Sequence, residues 1–297
     1  YLDYRILCEA NLAVQKAFGL DIVQAISDPY REVADLGAQI IFPPDALPVC
    51  ITPLLADGIR LNQLKMVLPT DGPRMKDRIA AVRHFREKVG GEVPIMGWVE
   101  GALAEVAVLR GVNNLLSDLY ENPKSIEELL EFCVELEIAF AQAQVTAGAD
   151  IIGLGDAIAS QISPAMYEKF ALPYEKRIFE AVKKMGAICR LHICGDTTHL
   201  LPLMPKSGAD IIDLDWMVNF EVAAKLFDNG PAPCGNFDPV TILYQGSHEQ
   251  VRQAVLNCLK QGGNRCFSAA GCEVVDGTPA ENLRAQVETL SFYECLK

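Results

Sequence analysis

Nothing in this sequence is built to cross a bilayer as a helix. No stretch approaches the roughly 18 consecutive apolar residues of a membrane span, although 50% of its residues are hydrophobic. Basic residues are also scarce: 26 Lys and Arg stand against 39 Asp and Glu, a formal net charge of −13, and they form no basic run. Nucleic-acid binding driven by neutralising phosphates is therefore excluded as a main role. There is no glycine-rich phosphate loop of the kind a nucleotide enzyme uses, no low-complexity linker and no break in composition. No secretory leader pattern opens the chain, and a start at Tyr1 leaves room for a missing native N-terminal segment. The ten cysteines are dispersed and lack the spacing of a small disulfide scaffold. Reduced thiols in a cytoplasmic protein, a few of them with a chemical task, are expected.

What is present is alternation. Short apolar segments at 21–27, 38–42, 93–99, 150–155, 187–194, 209–214, 232–237 and 264–270 are each followed by a helical stretch. Strands alternating with helices predict a parallel sheet. Eight such units in 297 residues predict an α/β fold, a single (β/α)8 TIM barrel over 1–297 with an N-terminal helix in 1–20. Helix starts are read at Ser125 with Glu128, at Ser163-Pro164, at Ser247 with Gln250 and at Thr278-Pro279 with Glu281. Gly148, Gly186 and Gly208 stand where helix C-caps belong. The long insertion 43–92 includes a basic helix around Arg78–Lys88.

In such a barrel the chemistry lies at the C-terminal ends of the strands. Those ends carry Asp28, Asp45, Glu100, Asp156, His192, Cys194, Asp213, Asp215, Asn236, Asp238 and Cys272. Residues 190–195 read Arg-Leu-His-Ile-Cys-Gly. Strand side chains alternate between faces, so His192 and Cys194 point one way with Arg190, and Leu191 and Ile193 point to the outer helices. Cys272 shares its parity with Cys266, Ser268 and Ala270, whose small side chains leave room below it. One imidazole and two thiolates form a zinc set with the fourth position open, the catalytic arrangement. The competing reading is a His-x-Cys pair packed in an apolar strand, since cysteine is often buried as a small hydrophobe.

At these residues the chain resembles the uroporphyrinogen decarboxylase superfamily. The resemblance is carried by AISDPYREVADLG (25–37), ISPAMYEKFALPY (162–174), HICGDT (192–197) and GNFDPV (235–240). His-x-Cys with a distant Cys, and GDAIAS (155–160), resemble the branch of zinc-dependent corrinoid methyltransferases of the methylcobalamin:coenzyme M type. That resemblance implies a barrel with zinc at its mouth held by His192, Cys194 and Cys272. It also implies a corrinoid co-substrate, methylcobalamin or its equivalent on a partner corrinoid protein, and a small methyl acceptor or donor. The decarboxylases instead have an N-terminal arginine-rich motif and a histidine near the last strand; this chain shows no such motif and has Cys272 in that last region. Two alternatives are carried forward: a metal-free decarboxylase of a porphyrinogen, and a non-catalytic barrel that binds a corrinoid or tetrapyrrole. A homo-oligomer is compatible with the sequence.

The remaining polar residues have paired readings. Asp28 is a substrate or proton-relay group, or a helix cap. Glu100 is a fourth zinc ligand or substrate-orienting group, or a first-turn acid. Asp156, Asn236 and Asp238 are partners of His192 or of the cofactor, with Asp238-Pro239 also reading as a turn. Asp213 and Asp215 pair with Arg190 or cap the next helix. His84 and His248 read as solvated, and His199 as a loop or helix residue. Cys50, Cys133, Cys189, Cys234, Cys258 and Cys295 read as structural.

Overall fold

The computed structural model describes residues 1–294, so Cys295 lies outside the described residues. The strands are β1 (Val23–Gln24), β2 (Ile40–Ile41), β3 (Val49–Cys50), β4 (Ile95–Glu100), β5 (Ile151–Gly155), β6 (Ile188–His192), β7 (Ile211–Asp213), β8 (Ala232–Phe237) and β9 (Phe267–Ala270). Seven of them form one parallel sheet in the order β1-β4-β5-β6-β7-β8-β9, curled into an incomplete barrel. The α-helices are α1 (Tyr4–Phe18), α2 (Arg31–Asp35), α3 (Pro73–Val89), α4 (Ala102–Arg110), α5 (Val112–Glu121), α6 (Pro123–Ala147), α7 (Pro164–Phe170), α8 (Leu172–Lys184), α9 (Phe220–Leu226), α10 (His248–Gly262) and α11 (Ala280–Glu294).

The α/β barrel read from the alternation is observed, with one departure. The segment 38–42 does not join the sheet; β2 pairs antiparallel with β3 in a separate hairpin. Pro43 and Pro44 follow directly and have no N–H to donate, so the strand cannot continue as a central one. Ile41, half exposed, has no sheet face to cover it. β1 therefore pairs directly with β4, Val23 opposite Ile95.

Parallel strands covered on both faces are apolar throughout, and β4 and β5 are buried along their whole length. Outward-facing Cys189, Leu191 and Ile193 join the main core against the helices. Inside the barrel, Met96, Trp98 and Ile151 make a second, smaller cluster with Ile22 and Ile26. Trp98 lies against β5 because Gly153 and Gly155 have no side chain there; a Cβ on Gly153 would sit 2.3 Å from its ring. Gln144 on α6 pins the same strand, accepting from Trp98 N at 2.9 Å and donating to Trp98 O at 2.8 Å.

Several helix starts are as read. Ser163 caps α7, and Ser247 with Gln250 forms a capping box on α10. Two are not. α6 starts earlier, at Asn122-Pro123, because a proline preset for the first turn overrides Ser125. Thr278 donates its hydroxyl to Val275 O at 2.6 Å instead of capping α11. The basic helix is α3, but Arg74 and Arg78 on it are buried, and His84 is half-buried with its ring against Tyr4.

Candidate metal centre

His192 ends β6, and Cys194 lies two residues beyond it on the same face. Cys272 follows β9 and reaches the pair across the mouth. The three donor atoms lie within 4.8 Å of one another. His192 Nε2 is 3.0 Å from Cys194 Sγ and 3.9 Å from Cys272 Sγ, and the two sulfurs are 3.8 Å apart. A tetrahedral zinc with its usual bond lengths sets sulfurs about 3.8 Å apart and nitrogen to sulfur about 3.6 Å. The sulfur spacing already has that value, and closing the rest needs shifts of about half an ångström. All three side chains are half-buried. The residues fit a zinc ion with one position left open.

The backbone around the trio is shaped for it. Gly195 has φ 89°, a left-handed conformation that glycine adopts freely, and it turns the chain away directly after Cys194. Gly271, just before Cys272, lies against the β7 loop so closely that a Cβ would stand 2.4 Å from Trp216 N.

Parallel register brings Asp213 on β7 beside His192. Asp213 Oδ2 is 3.1 Å from His192 Nδ1, and the carboxylate accepts Arg190 Nε at 2.9 and 3.0 Å. A carboxylate behind a ligating histidine fixes its ring and leaves Nε2 for the metal. Burial alone would lower the His192 pKa, but the hydrogen bonds to Asp213 and Cys272 carry it up to about 10. Asp213 is held below its usual value: burial raises it, and Arg190 and His192 outweigh that. Hydrogen bonds from Cys194 and His192 bring the Cys272 thiol down to about 4, while Cys194 is pushed up, first by Cys272 and then by burial. A dication held by the three donors would compete with these protons.

Beside the trio stands a second polar group. Arg31, fully buried, donates to Glu100 at 2.6 Å and lies 3.4 Å from Glu32. Burial pushes Glu100 up to about 7 despite Arg31. Glu105 on α4 and Glu137 on α6, both buried, have no hydrogen-bond partner for either carboxyl oxygen. Burial first, then nearby Glu32, raises both well above the usual range. Trp98 floors the mouth, its ring centroid 6.3 Å from that of His192.

The other sequence-selected residues are placed as follows. Asp28 pairs with Arg74, accepts Ser27 Oγ at 2.8 Å and caps the turn at Tyr30 N, 3.2 Å. Its pKa is low because Arg74 and Arg31 outweigh burial, which acts upward. Asp156 is fully buried against Gly101 at the start of α4, and burial, then Glu175, raises it well above the usual range. Asn236 donates to Asp215 O at 3.0 Å and Val218 O at 2.6 Å. Asp238 accepts from Val240 N at 2.8 Å and Thr241 N at 3.2 Å. Neither meets His192; the histidine's partner is Asp213, which the sequence reading paired only with Arg190 or a cap. Asp215 accepts from Gly195 N at 2.8 Å. His199 reaches Ile162 O at 3.0 Å, away from the trio. Sequence reasoning missed Arg31, Trp98 and the role of Asp213; for the last, an acid ending the strand after His192 was the available signal.

The sequence profile of the uroporphyrinogen decarboxylase (URO-D) family matches residues 1–293. The chain belongs to that family. It is 35% identical over 225 residues to a methylcobamide:CoM methyltransferase, MtbA, of Methanosarcina mazei, covering 75% of this chain and 65% of that protein. The chain thus spans slightly under two thirds of that relative's length. It is 27% identical over 294 residues to a uroporphyrinogen decarboxylase of Carboxydothermus hydrogenoformans, covering 95% of this chain and 81% of that protein. Among solved structures it is similar to a methyltransferase from Methanosarcina mazei, with TM-score 0.91 and 22% identity over 99% of this chain and 86% of that one. The resemblance to the methyltransferase branch is thereby borne out in sequence similarity, and the barrel in fold.

Proposed function

We propose that this chain, acting as one barrel domain, is a zinc-dependent methyltransferase that moves a methyl group between a corrinoid and a small thiol or another methyl acceptor or donor. The observation that carries the reading is the convergence of His192, Cys194 and Cys272 on one point of the barrel mouth, with the sulfurs already at the separation a tetrahedral zinc sets. Higher identity to the methyltransferase than to the decarboxylase supports it.

Zinc held there would lower the pKa of a substrate thiol and so make thiolate available at neutral pH. The chain's own residues do the rest. Asp213 orients His192 and fixes its tautomer. Glu100, braced by Arg31, would orient the substrate or serve as a fourth ligand when substrate is absent. Asp28, paired with Arg74, and the buried Asp156 are read as substrate-positioning or proton-relay groups. Trp98 packs with Met96 and Ile151 and gives His192 an apolar neighbour. Asn236 and Asp238 shape the rim that a corrinoid approaches, carried by a partner protein. The chain is read as a cytoplasmic protein, a setting that keeps thiols reduced and so able to ligate a metal.

Decarboxylation of a porphyrinogen is the second reading, favoured by the shared family. Its carboxylate-rich substrate calls for open arginine clamps, whereas Arg31, Arg74 and Arg78 are each at most 8% exposed and face carboxylates. The test is to mix the zinc-loaded protein with methylcobalamin and a series of small thiols and follow the corrinoid spectrum. Thiol-dependent loss of methylcobalamin, abolished by Cys194→Ala, is expected. No transfer to any thiol, together with metal-independent decarboxylation of uroporphyrinogen, would reverse the assignment.

A further inference from the structure

We propose that one arc of the mouth, the loops after β6, β7, β8 and β9, is the docking face for a methylated corrin presented by its carrier protein, with Trp216 as the central contact. The inference rests on the methyl-transfer reading and adds where the corrin sits.

Three observations carry it. First, the arc exposes large apolar side chains: Trp216 is 49% exposed, Met217 44%, Val274 46%, Val240 42% and Tyr244 39%. One of the chain's two tryptophans is thus left in solvent beside the metal ligands. Its backbone touches Gly271, the residue before Cys272. Exposed aromatic residues of this kind are the usual anchors of interfaces.

Second, the arc has charge of one sign. Residues 193–199, 214–219, 238–246 and 271–279 include Asp196, Asp238, Glu273 and Asp276 beside the buried Asp215, and not one Lys or Arg. A methyl–cobalt(III) corrin is a broad, flat, mostly apolar macrocycle with a net positive charge and amide groups at its edge. An aromatic and carboxylate surface complements it in shape and in sign. The same surface repels polyanionic partners.

Third, the arc is braced. Asp215 ties the β6 loop to the β7 loop through Gly195 N at 2.8 Å. Asn236 ties β8 to the β7 loop through Asp215 O and Val218 O. Gly271 N donates to Phe237 O at 2.9 Å, tying the β9 loop to β8. Exposed side chains on a cross-tied base bind with little ordering cost. Another exposed apolar group, Leu47, Val49 and Ile51 around the β2–β3 hairpin, lies near Arg60 and Lys65 in sequence and serves as the comparison surface.

The experiment is equilibrium dialysis of the zinc-loaded protein against methylcobinamide, a cationic corrin without the nucleotide tail, read by corrin absorbance. Trp216→Ala is expected to weaken binding at least tenfold, and Asp276→Lys to weaken it severalfold with a flatter dependence on salt. Both should retain the zinc content and melting temperature of the unchanged protein, and Leu47→Ser should bind as the unchanged protein does. Binding within twofold of normal in both arc variants, or a loss confined to Leu47→Ser, overturns the docking face. If such a protein still methylates thiols from methylcobalamin, only the docking face has failed. If it neither binds the corrin nor methylates thiols, the methyl-transfer reading has failed with it.

Discussion

Replacing Asp213 by Asn separates what the carboxylate would do for a bound zinc from what it does for the fold. Asp213 faces two groups, His192 Nδ1 at 3.1 Å and Arg190 Nε at 2.9 Å. Losing a carboxylate behind a metal-binding histidine typically costs about 10- to 100-fold in metal affinity, or about 1.4–2.7 kcal/mol. Breaking an ion pair by removing one buried partner costs about 3–5 kcal/mol. Here the Arg190 side chain remains 21% exposed, so the lower end, about 3 kcal/mol, applies. Asp213→Asn should therefore lose stability in urea unfolding and lose zinc affinity in competition with a chromophoric chelator. Adding Arg190→Met removes the orphaned cation and should recover most of the stability, because an apolar replacement of a buried pair is often neutral. It should recover none of the zinc affinity. A single variant that holds zinc within twofold of the unchanged protein, or a double variant that regains both properties together, would refute the assigned role of Asp213.

Gly271→Ala places a Cβ 2.4 Å from Trp216 N and 3.0 Å from the Asp215 carbonyl carbon. Backbone atoms cannot swing aside, so a loss of about 1–3 kcal/mol is expected, together with weaker zinc binding because Cys272 is the next residue; melting and zinc titration of the variant check both. Burial pushes Glu175 up to about 7, and Tyr167 donates to it at 2.6 Å. Its folded pKa lies above the unfolded value of about 4.5, so its contribution is fully present below pH about 4.5 and is lost as pH rises through about 7. Glu175→Gln keeps a neutral partner for Tyr167 and should be the more stable protein at pH 8, by up to roughly 3 kcal/mol, with little difference near pH 4.5; parallel pH dependence of the two proteins in urea melts would count against a buried neutral acid.

The convergence of the candidate trio was legible because it depends on local parity: His192 and Cys194 share a strand face, and the odd–even count after Cys266 brings Cys272 to the same side. Contacts that depend on register between strands were not legible. Asp213 meets His192 only because Arg190 aligns with Ile211. Arg31 finds Glu100 across 69 residues of sequence, and the seat of Trp98 is made by two glycines on the neighbouring strand. The barrel could be read from its alternation, yet 38–42 misled, since an apolar run carries no sign of what lies beside it. The decisive signal was the proline pair after it. Asn122-Pro123 likewise outcompeted Ser125 for the start of α6. Asn236 and Asp238 carried ligand-type side chains that the fold uses to tie its loops.

The most direct test of the central claim is a count of zinc per chain in purified protein and in its His192→Ala, Cys194→Ala and Cys272→Ala variants, alongside X-ray absorption at the zinc edge. The account predicts about one zinc per chain, a first shell with two sulfurs and one imidazole nitrogen, and marked loss of metal in each variant. A protein without zinc, or one whose zinc survives loss of both cysteines, would contradict it.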